Sequence, residues 1–332
     1  MNALSPPGIS AAPLLRGENL SRSFGGGGWF GRGRPILAVR GVDLHLARGE
    51  ALGVVGESGC GKSTLGRLLL NLLPPTSGKV VFEGEALDAL PAGKLRALRR
   101  RMQMVFQDPY GSLDPRRSVG AQIADGLLIH RMADATGAAA RVAELLRQTG
   151  LEPAHAMRLP HEFSGGQRQR IAIARALATR PDFIVADEPV SALDVSIQAQ
   201  IVNLLADLRS ELGLALLFIS HDLHVVRHLC DRVMVMYLGR VVEQGSAAAI
   251  FAAPAHPYTR ALLEATPSMR HPVTAAPLPG EVPSVANPPS GCPFRTRCPA
   301  AESRCAEAMP PLEAHPADAS RQLACWRAAE LA

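Results

Sequence analysis

Lysine is nearly absent from this 332-residue chain: it occurs only at Lys62, Lys79 and Lys94, and arginine supplies the other 32 of the 35 basic residues. A lysine that falls inside a motif therefore stands out as chosen for its chemistry. Long apolar runs are missing too. Stretches such as LGLALLFIS fall far short of the roughly 20 residues a membrane span needs, and the opening MNALSPPGIS has neither the basic nor the apolar region of an export signal. These absences predict a cytoplasmic chain, any membrane role of which must come through a partner. Cysteine is also scarce, six in all, yet four of the six crowd the C-terminal part as Cys292, Cys298, Cys305 and Cys325.

What is present begins with a hydrophobic share of 47%, enough for a sizeable core. The net charge of +5 is spread as scattered arginines, and the only dense runs are Arg99 to Arg101 and Arg116 to Arg117. That distribution is a solvated surface and not the basic stripe of a nucleic-acid binder.

Residues 14 to 56 alternate apolar and polar stretches and end in the apolar run ALGVVG, which predicts strands joined by a flexible hairpin at the glycine-rich insert GGGGWFGRGRP. KSTLGRLLLNLL, from 62, has helical periodicity, and KVVFEG and MQMVFQ return to strand. A helical block from about 117 to 150, with Val142, Leu145 and Leu146 on a buried stripe, interrupts the strand and helix alternation. DFIVAD and LALLFIS are short apolar strands, and the helix between them is predicted to bury Ile197, Ile201, Leu204, Leu205, Leu208 and Leu212. RVMVMYLGRVVEQG reads as a hairpin turning near Gly239. Apolar strands separated by helices imply an α/β fold with a parallel sheet covered on both faces. After about residue 267, prolines crowd HPVTAAPLPGEVPSVANPPSGCP, which predicts a linker or extended arm outside the sheet, with the cysteine segment beyond it.

GESGCGKST, Gly56 to Thr64, fits G-x-x-x-x-G-K-[ST] and lies between a predicted strand and a predicted helix, where a phosphate loop must lie. Gly56, Gly59 and Gly61 let the backbone close around phosphate oxygens, with Ser58 and Cys60 at variable positions, and the helix presents its positive end to the same anion. Lys62 is placed to reach the β and γ phosphates, and the Ser63 hydroxyl to ligate Mg2+, with Thr64 beside it. Cys60 reads as filler. FIVADEP then sets Asp187 and Glu188 at the C-terminal end of a strand, the edge where ligands bind in open α/β sheets. Asp187 can hold Mg2+ through water, and Glu188 can polarise the water that attacks the γ phosphate.

FSGGQRQR places Ser164, Gly165, Gly166 and Gln167 at the start of another helix. Here the chain resembles the ATP-binding cassette (ABC) ATPases, whose signature reads LSGGQ; Phe163 departs from the usual leucine. Gln107 in VFQDP resembles that family's Q-loop glutamine, Ser191, Ala192, Leu193 and Asp194 its D-loop, and His221 in FISHD its switch histidine. Phe24 matches the aromatic that stacks on adenine, where tyrosine is more usual. The resemblance implies a P-loop NTPase fold with an antiparallel β subdomain and an α-helical subdomain at about 108–165, and ATP and Mg2+ as cofactors. Ser63, Gln107 and Asp187 would surround the Mg2+, with Glu188, His221 and Gln107 catalytic. It also implies head-to-tail pairing, in which Ser164 and Gly166 meet a γ phosphate held by the partner subunit.

Downstream, IFAAPAHPYTRALLEATPS resembles the HPYT segment of the oligopeptide, dipeptide and nickel importer ATPases, and PLPGEVPS and GCPFRTRC extend the likeness. From the residues alone, Pro257 suits the first turn of a helix with Leu262 and Leu263 on its apolar face. The WFGRGRP insert is similar to that of the second, F-type, ATPase of such pairs. The implied organisation is a flexible N-terminus over 1–13, a cassette over 14–249 and an extension over 250–332. The implied partners are a paralogous ATPase, two transmembrane permeases and an extracellular binding protein, with the chain at the cytoplasmic face of the membrane and no nucleic acid. Peptide is the first cargo and nickel the second. A rival class, ABC ATPases acting on DNA or ribosomes, usually carries two cassettes or long heptad insertions, which this chain lacks.

Cys292, Cys298, Cys305 and Cys325 are not spaced as paired C-x-x-C zinc ligands, and a cytoplasmic chain has little use for disulfides. Spacing alone leaves a metal site and unligated thiols equally open. The family resemblance implies a [4Fe-4S] cluster on these four residues, with zinc second. Cys230, in an apolar context, is expected to be a buried small residue.

Overall fold

A computed structural model describes residues 12–25, 35–265, 280–328 and 330. The expected flexible N-terminus up to residue 11, most of the glycine-rich insert (26–34) and residues 266–279, which include the start of the proline-rich stretch, lie outside the described residues.

Two sheets organise the chain. The smaller is antiparallel, in the order β2-β1-β4-β5, from β1 (Leu15–Phe24), β2 (Ile36–Leu46), β4 (Ser77–Phe82) and β5 (Glu85–Ala86). The larger has the order β11-β12-β10-β9-β3-β8-β7-β6. Its parallel part is β6 (Met102–Val105), β7 (Phe183–Asp187), β8 (Ala215–Ile219), β3 (Ala51–Val55) and β9 (Arg232–Tyr237). The antiparallel β10 (Arg240–Ser246) follows β9 through the hairpin read from the sequence, with Gly239 at φ 81° in its turn.

Side chains alternate across a strand, so each apolar strand feeds two cores. Leu52 and Val54 of β3 with Leu217 and Ile219 of β8 face α1 (Lys62–Leu69), whose Leu65, Leu68 and Leu69 share a core with the small sheet. Ala51, Val55, Leu216 and Phe218 face the other way, onto α5 (Gly165–Leu177), α6 (Val195–Leu212) and α7 (Leu223–Leu229). Along α6 the predicted stripe holds at Ile201, Leu205 and Leu208, while Ile197 and Leu204 are half-buried. Leu212 corrects it: one residue before the C-cap Gly213, it is 46% exposed because the helix has run past the sheet edge.

After β6 come α3 (Val119–Ile129) and α4 (Ala135–Gln148), capped by Ser118 and Asp134, each side chain accepting from a backbone amide of the first turn. Val142, Leu145 and Leu146 are buried as their spacing predicts. The short α2 (Ala92–Arg99) packs on β6. Cys230 is buried, as expected.

The described part of the proline-rich stretch, 280–293, contributes no strand, but the chain beyond it returns to the sheet: β12 (Asp318–Leu323) pairs antiparallel with β10 through Glu243 and Leu323, and β11 (Glu313–His315) extends the edge. A short helix, α8 (Ala247–Ala252), leads to α9 (Pro257–Glu264), and α10 (Arg304–Glu307) sits among the cysteines. Glu243, fully buried, anchors this region: it accepts from the Ala255 and His256 amides at 3.0 Å each and from Arg321 Nε at 2.9 Å. Phe294 closes an aromatic group with Tyr237 and Tyr258, its ring centroid 5.3 Å from each.

Candidate functional site

The C-terminal ends of four neighbouring parallel strands, β6, β7, β8 and β3, deliver Gln107, the acidic pair, His221 and the phosphate loop to one edge of the sheet. This is the edge where open α/β sheets bind ligands.

From β3 the loop 56–61 turns into α1. Gly56 (φ 149°) and Gly61 (φ 105°) are demanded by neighbouring backbone: a Cβ on the first would sit 2.2 Å from Met236 O, and on the second 2.2 Å from Ala38 O. The glycines thus let the loop nest against β9 and β2, as well as leaving the phosphate side open. Ser58 and Gly59 are exposed on that side. Lys62 is 4% exposed, and its Nζ donates to Gly56 O at 2.8 Å and Glu57 O at 3.0 Å, which keeps the ammonium curled within the loop. Cys60 is buried 3.9 Å from that ammonium, and burial pushes its thiol up, so it stays protonated and behaves as filler.

Ser63 Oγ donates to Asp187 Oδ1 at 2.7 Å, so two of the three predicted Mg2+ ligands are adjacent. Burial pushes the Asp187 carboxyl up despite this bond. Glu188 adopts φ 46° and directs Oε2 to Gln107 Nε2 at 3.1 Å and to His221 Nδ1 at 3.4 Å. The expected base, Q-loop glutamine and switch histidine therefore meet at one carboxylate.

Ser164 and Gln167 form a reciprocal cap on α5: Ser164 N donates to Gln167 Oε1 at 3.0 Å and Gln167 N to Ser164 Oγ at 3.4 Å. Ser164 and Gly165 are exposed, and Gly166 is buried. Phe163, the departure from the family leucine, is 3% exposed and meets His155 edge-on, so the larger side chain is absorbed by the core. Ser191 Oγ donates to Glu188 O, tying the D-loop candidates to the acidic pair, and Asp194 stands at the N-cap of α6. Ala192 is exposed and Leu193 half-buried. Phe24, at the end of β1, is 38% exposed with the Arg22 guanidinium 5.0 Å from its ring centroid.

Three residues that sequence reasoning missed complete the loop's surroundings. Tyr258 Oη accepts from the Glu57 amide at 2.8 Å, and Arg297 grips the Glu57 carboxylate at 2.8 and 3.0 Å. Glu57 occupies a variable motif position, and its partners lie 201 and 240 residues away, so no local signal marks them.

The iron-sulfur expectation gains no support. Cys292, Cys298, Cys305 and Cys325 do line one cavity, but its volume of about 20 Å³ has room for about one water. Burial pushes the thiols of Cys298 and Cys325 up, and that of Cys292 up to about 11. Among the described residues, no group of three or more His, Cys, Asp or Glu is arranged to hold a metal ion.

A phosphate loop, an acidic pair after the neighbouring strand and a capped SGGQ helix on this sheet define an ATP-hydrolysing cassette. Comparison with known proteins agrees. Residues 39–191 match the ABC transporter family, and 242–305 match the oligopeptide/dipeptide transporter C-terminal region. The chain is 52% identical over 317 residues to the "Probable peptide ABC transporter ATP-binding protein y4tS" of Sinorhizobium fredii, covering 94% of this chain and 89% of the relative. It is 51% identical over 280 residues to the oligopeptide transport ATP-binding protein AppF of Bacillus subtilis, covering 83% and 85%. Its fold matches the dimeric post-hydrolysis structure of the ATP-binding cassette MJ0796 bound to ADP and Pi, with a TM-score of 0.63 and 30% identity over 70% of this chain and 98% of that one. The chain belongs to the ABC transporter ATP-binding proteins, in the group that carries the oligopeptide/dipeptide C-terminal region, and it is an ATPase.

Proposed function

We propose that this chain powers the import of di- or oligopeptides as the F-type ATPase of a membrane transporter, working with a paralogous ATPase, two permeases and an extracellular binding protein. The carrying observation is the union, in one chain, of a complete cassette site with a matched oligopeptide/dipeptide C-terminal region. Relatives named for peptide and oligopeptide transport over most of its length support the cargo class.

At the site, the 56–64 backbone and Lys62 bind the triphosphate, and Phe24 supports the adenine. Ser63, Gln107 and Asp187 hold Mg2+, which neutralises phosphate charge when bound. Glu188 orients and polarises the attacking water, with Gln107 and His221 holding its carboxylate. Ser164 to Gln167 and the D-loop, Ser191 to Asp194, serve the ATP of the partner subunit. Because phosphoryl transfer depends on positioning and charge stabilisation, a site split between two chains works only when closed.

Among the described residues no helix is long and apolar enough to cross a membrane. Docking on the permeases at the cytoplasmic face is supported by a cavity of about 340 Å³ beside Gln107, lined by Phe106 of the same loop together with Leu72, Gln122, Ile129 and Arg175. Leu72 and Ile129 expose 51% and 57% of their surface there.

Glu188→Gln tests the enzyme assignment. Removing a general base costs roughly 10²- to 10⁴-fold in rate, so ATP turnover should fall by that much while ATP binding persists. Turnover near the wild-type rate would remove Glu188 from its role. The cargo is tested by thermal stabilisation of the cognate binding protein: peptides should raise its melting temperature, and stabilisation by nickel alone would overturn the peptide reading.

A further inference from the structure

Every polar group of Glu57 is engaged. Its carbonyl accepts from Lys62 Nζ, its amide donates to Tyr258 Oη, and its carboxylate takes both arms of the Arg297 fork. The Arg297 side chain is 5% exposed against 24% for Glu57, and its NH1 also lies 3.5 Å from Tyr237 Oη. Arg297 sits on the loop between Cys292 and Cys298, which Phe294 anchors into the aromatic group on β9 and α9 and the bond from Cys292 N to Cys305 O pins at 2.8 Å. The C-terminal region thus reaches the second residue of the phosphate loop through a part-buried, bidentate ion pair.

A carboxylate inside a phosphate loop is an electrostatic liability. Like charges in a partly buried setting repel far more strongly than in bulk water, and a triphosphate brings several negative charges to this loop. A bidentate guanidinium both cancels the carboxylate charge and fixes its direction. We propose that Arg297 is a positioning residue for the ATP site: it keeps the Glu57 carboxylate neutralised and turned away from the bound triphosphate, so that the C-terminal region sets nucleotide affinity. This rests on residues 56–64 being the triphosphate site.

The test uses the full-length chain and the non-hydrolysable analogue AMP-PNP with Mg2+. Arg297→Met keeps the buried stem and removes the charge. It should weaken AMP-PNP binding by roughly tenfold, about 1.4 kcal/mol. Adding Glu57→Gln to Arg297→Met should restore binding to within about threefold of wild type, because the uncovered charge is gone. Arg297→Lys, which keeps the charge without the fork, should fall between wild type and Arg297→Met. Wild-type affinity in Arg297→Met, or a double variant no tighter than Arg297→Met, would overturn the proposal and leave the pair a structural staple. Folded wild-type chain that does not bind AMP-PNP would instead overturn the phosphate-site reading itself.

Discussion

His256 shows how burial fixes the chemistry of one side chain. It is 2% exposed at the N-cap of α9, where its Nδ1 accepts from the Tyr258 amide at 3.0 Å. Loss of hydration outweighs the nearby Glu243 carboxylate and holds the imidazole down at about 4. Above pH 6.5 the residue is neutral whether the chain is folded or not, and it costs nothing. As pH falls below 6.5 the unfolded chain takes up a proton that the folded chain refuses until about pH 4. Stability is therefore lost across that window, by about 3 kcal/mol at its acid end. His256→Asn keeps a cap acceptor and does not titrate, so urea denaturation between pH 4 and 7 should show a flatter pH dependence than wild type. Equal slopes would rule out this residue as the source. The phosphate loop, the acidic pair and the signature were legible at this scale because their chemistry is packed into contiguous residues. Leu212 was misplaced because helical periodicity does not say where the sheet beneath the helix ends.

Between elements, a fully buried link in the C-terminal region is invisible in the sequence. Glu243 on β10 and Arg321 on β12 are 78 residues apart, and only the pairing of the two strands brings them together. HPYT announced α9 through Pro257, a local signal, but nothing local announced that Glu243 would hold the amides leading into that helix. Because Glu243 is fully buried, removing its guanidinium leaves an uncompensated charge. Arg321→Ala should therefore destabilise the protein by about 3 to 5 kcal/mol. Denaturant melts would register that loss, together with faster proteolysis after residue 246 where β10 ends. A loss under about 1 kcal/mol would show that the region docks independently of the pair.

Over the whole molecule, the parallel sheet and its two covered faces could be read from runs such as ALGVV, FIVAD and ALLFI, since strands buried on both sides lose polar alternation. The edge added by β11 and β12 could not, because DASRQL is mostly polar and joins through backbone bonds that composition does not record. The same limit hid the groove beside Gln107, whose walls come from β6, α3 and α5 and meet only in the fold. Leu70, Met102 and Met104 are buried in its floor, while Leu72, Phe106 and Ile129 are exposed at its rim, an apolar rim of the kind a partner surface carries. Ile129, at the C-terminal end of α3 and 57% exposed, offers a clean probe. A surface substitution there should change stability by less than about 0.5 kcal/mol, so Ile129→Asp should leave the fold of the isolated chain unchanged and its AMP-PNP affinity within about twofold of wild type. Under the docking proposed above, the same change in membranes would place a charge where an apolar permease segment seats. Peptide uptake and co-purification with the permeases should then both fall by at least about tenfold, a penalty typical of one uncompensated charge in a desolvated contact. Uptake at the wild-type level with Ile129→Asp would move the docking surface elsewhere on the molecule.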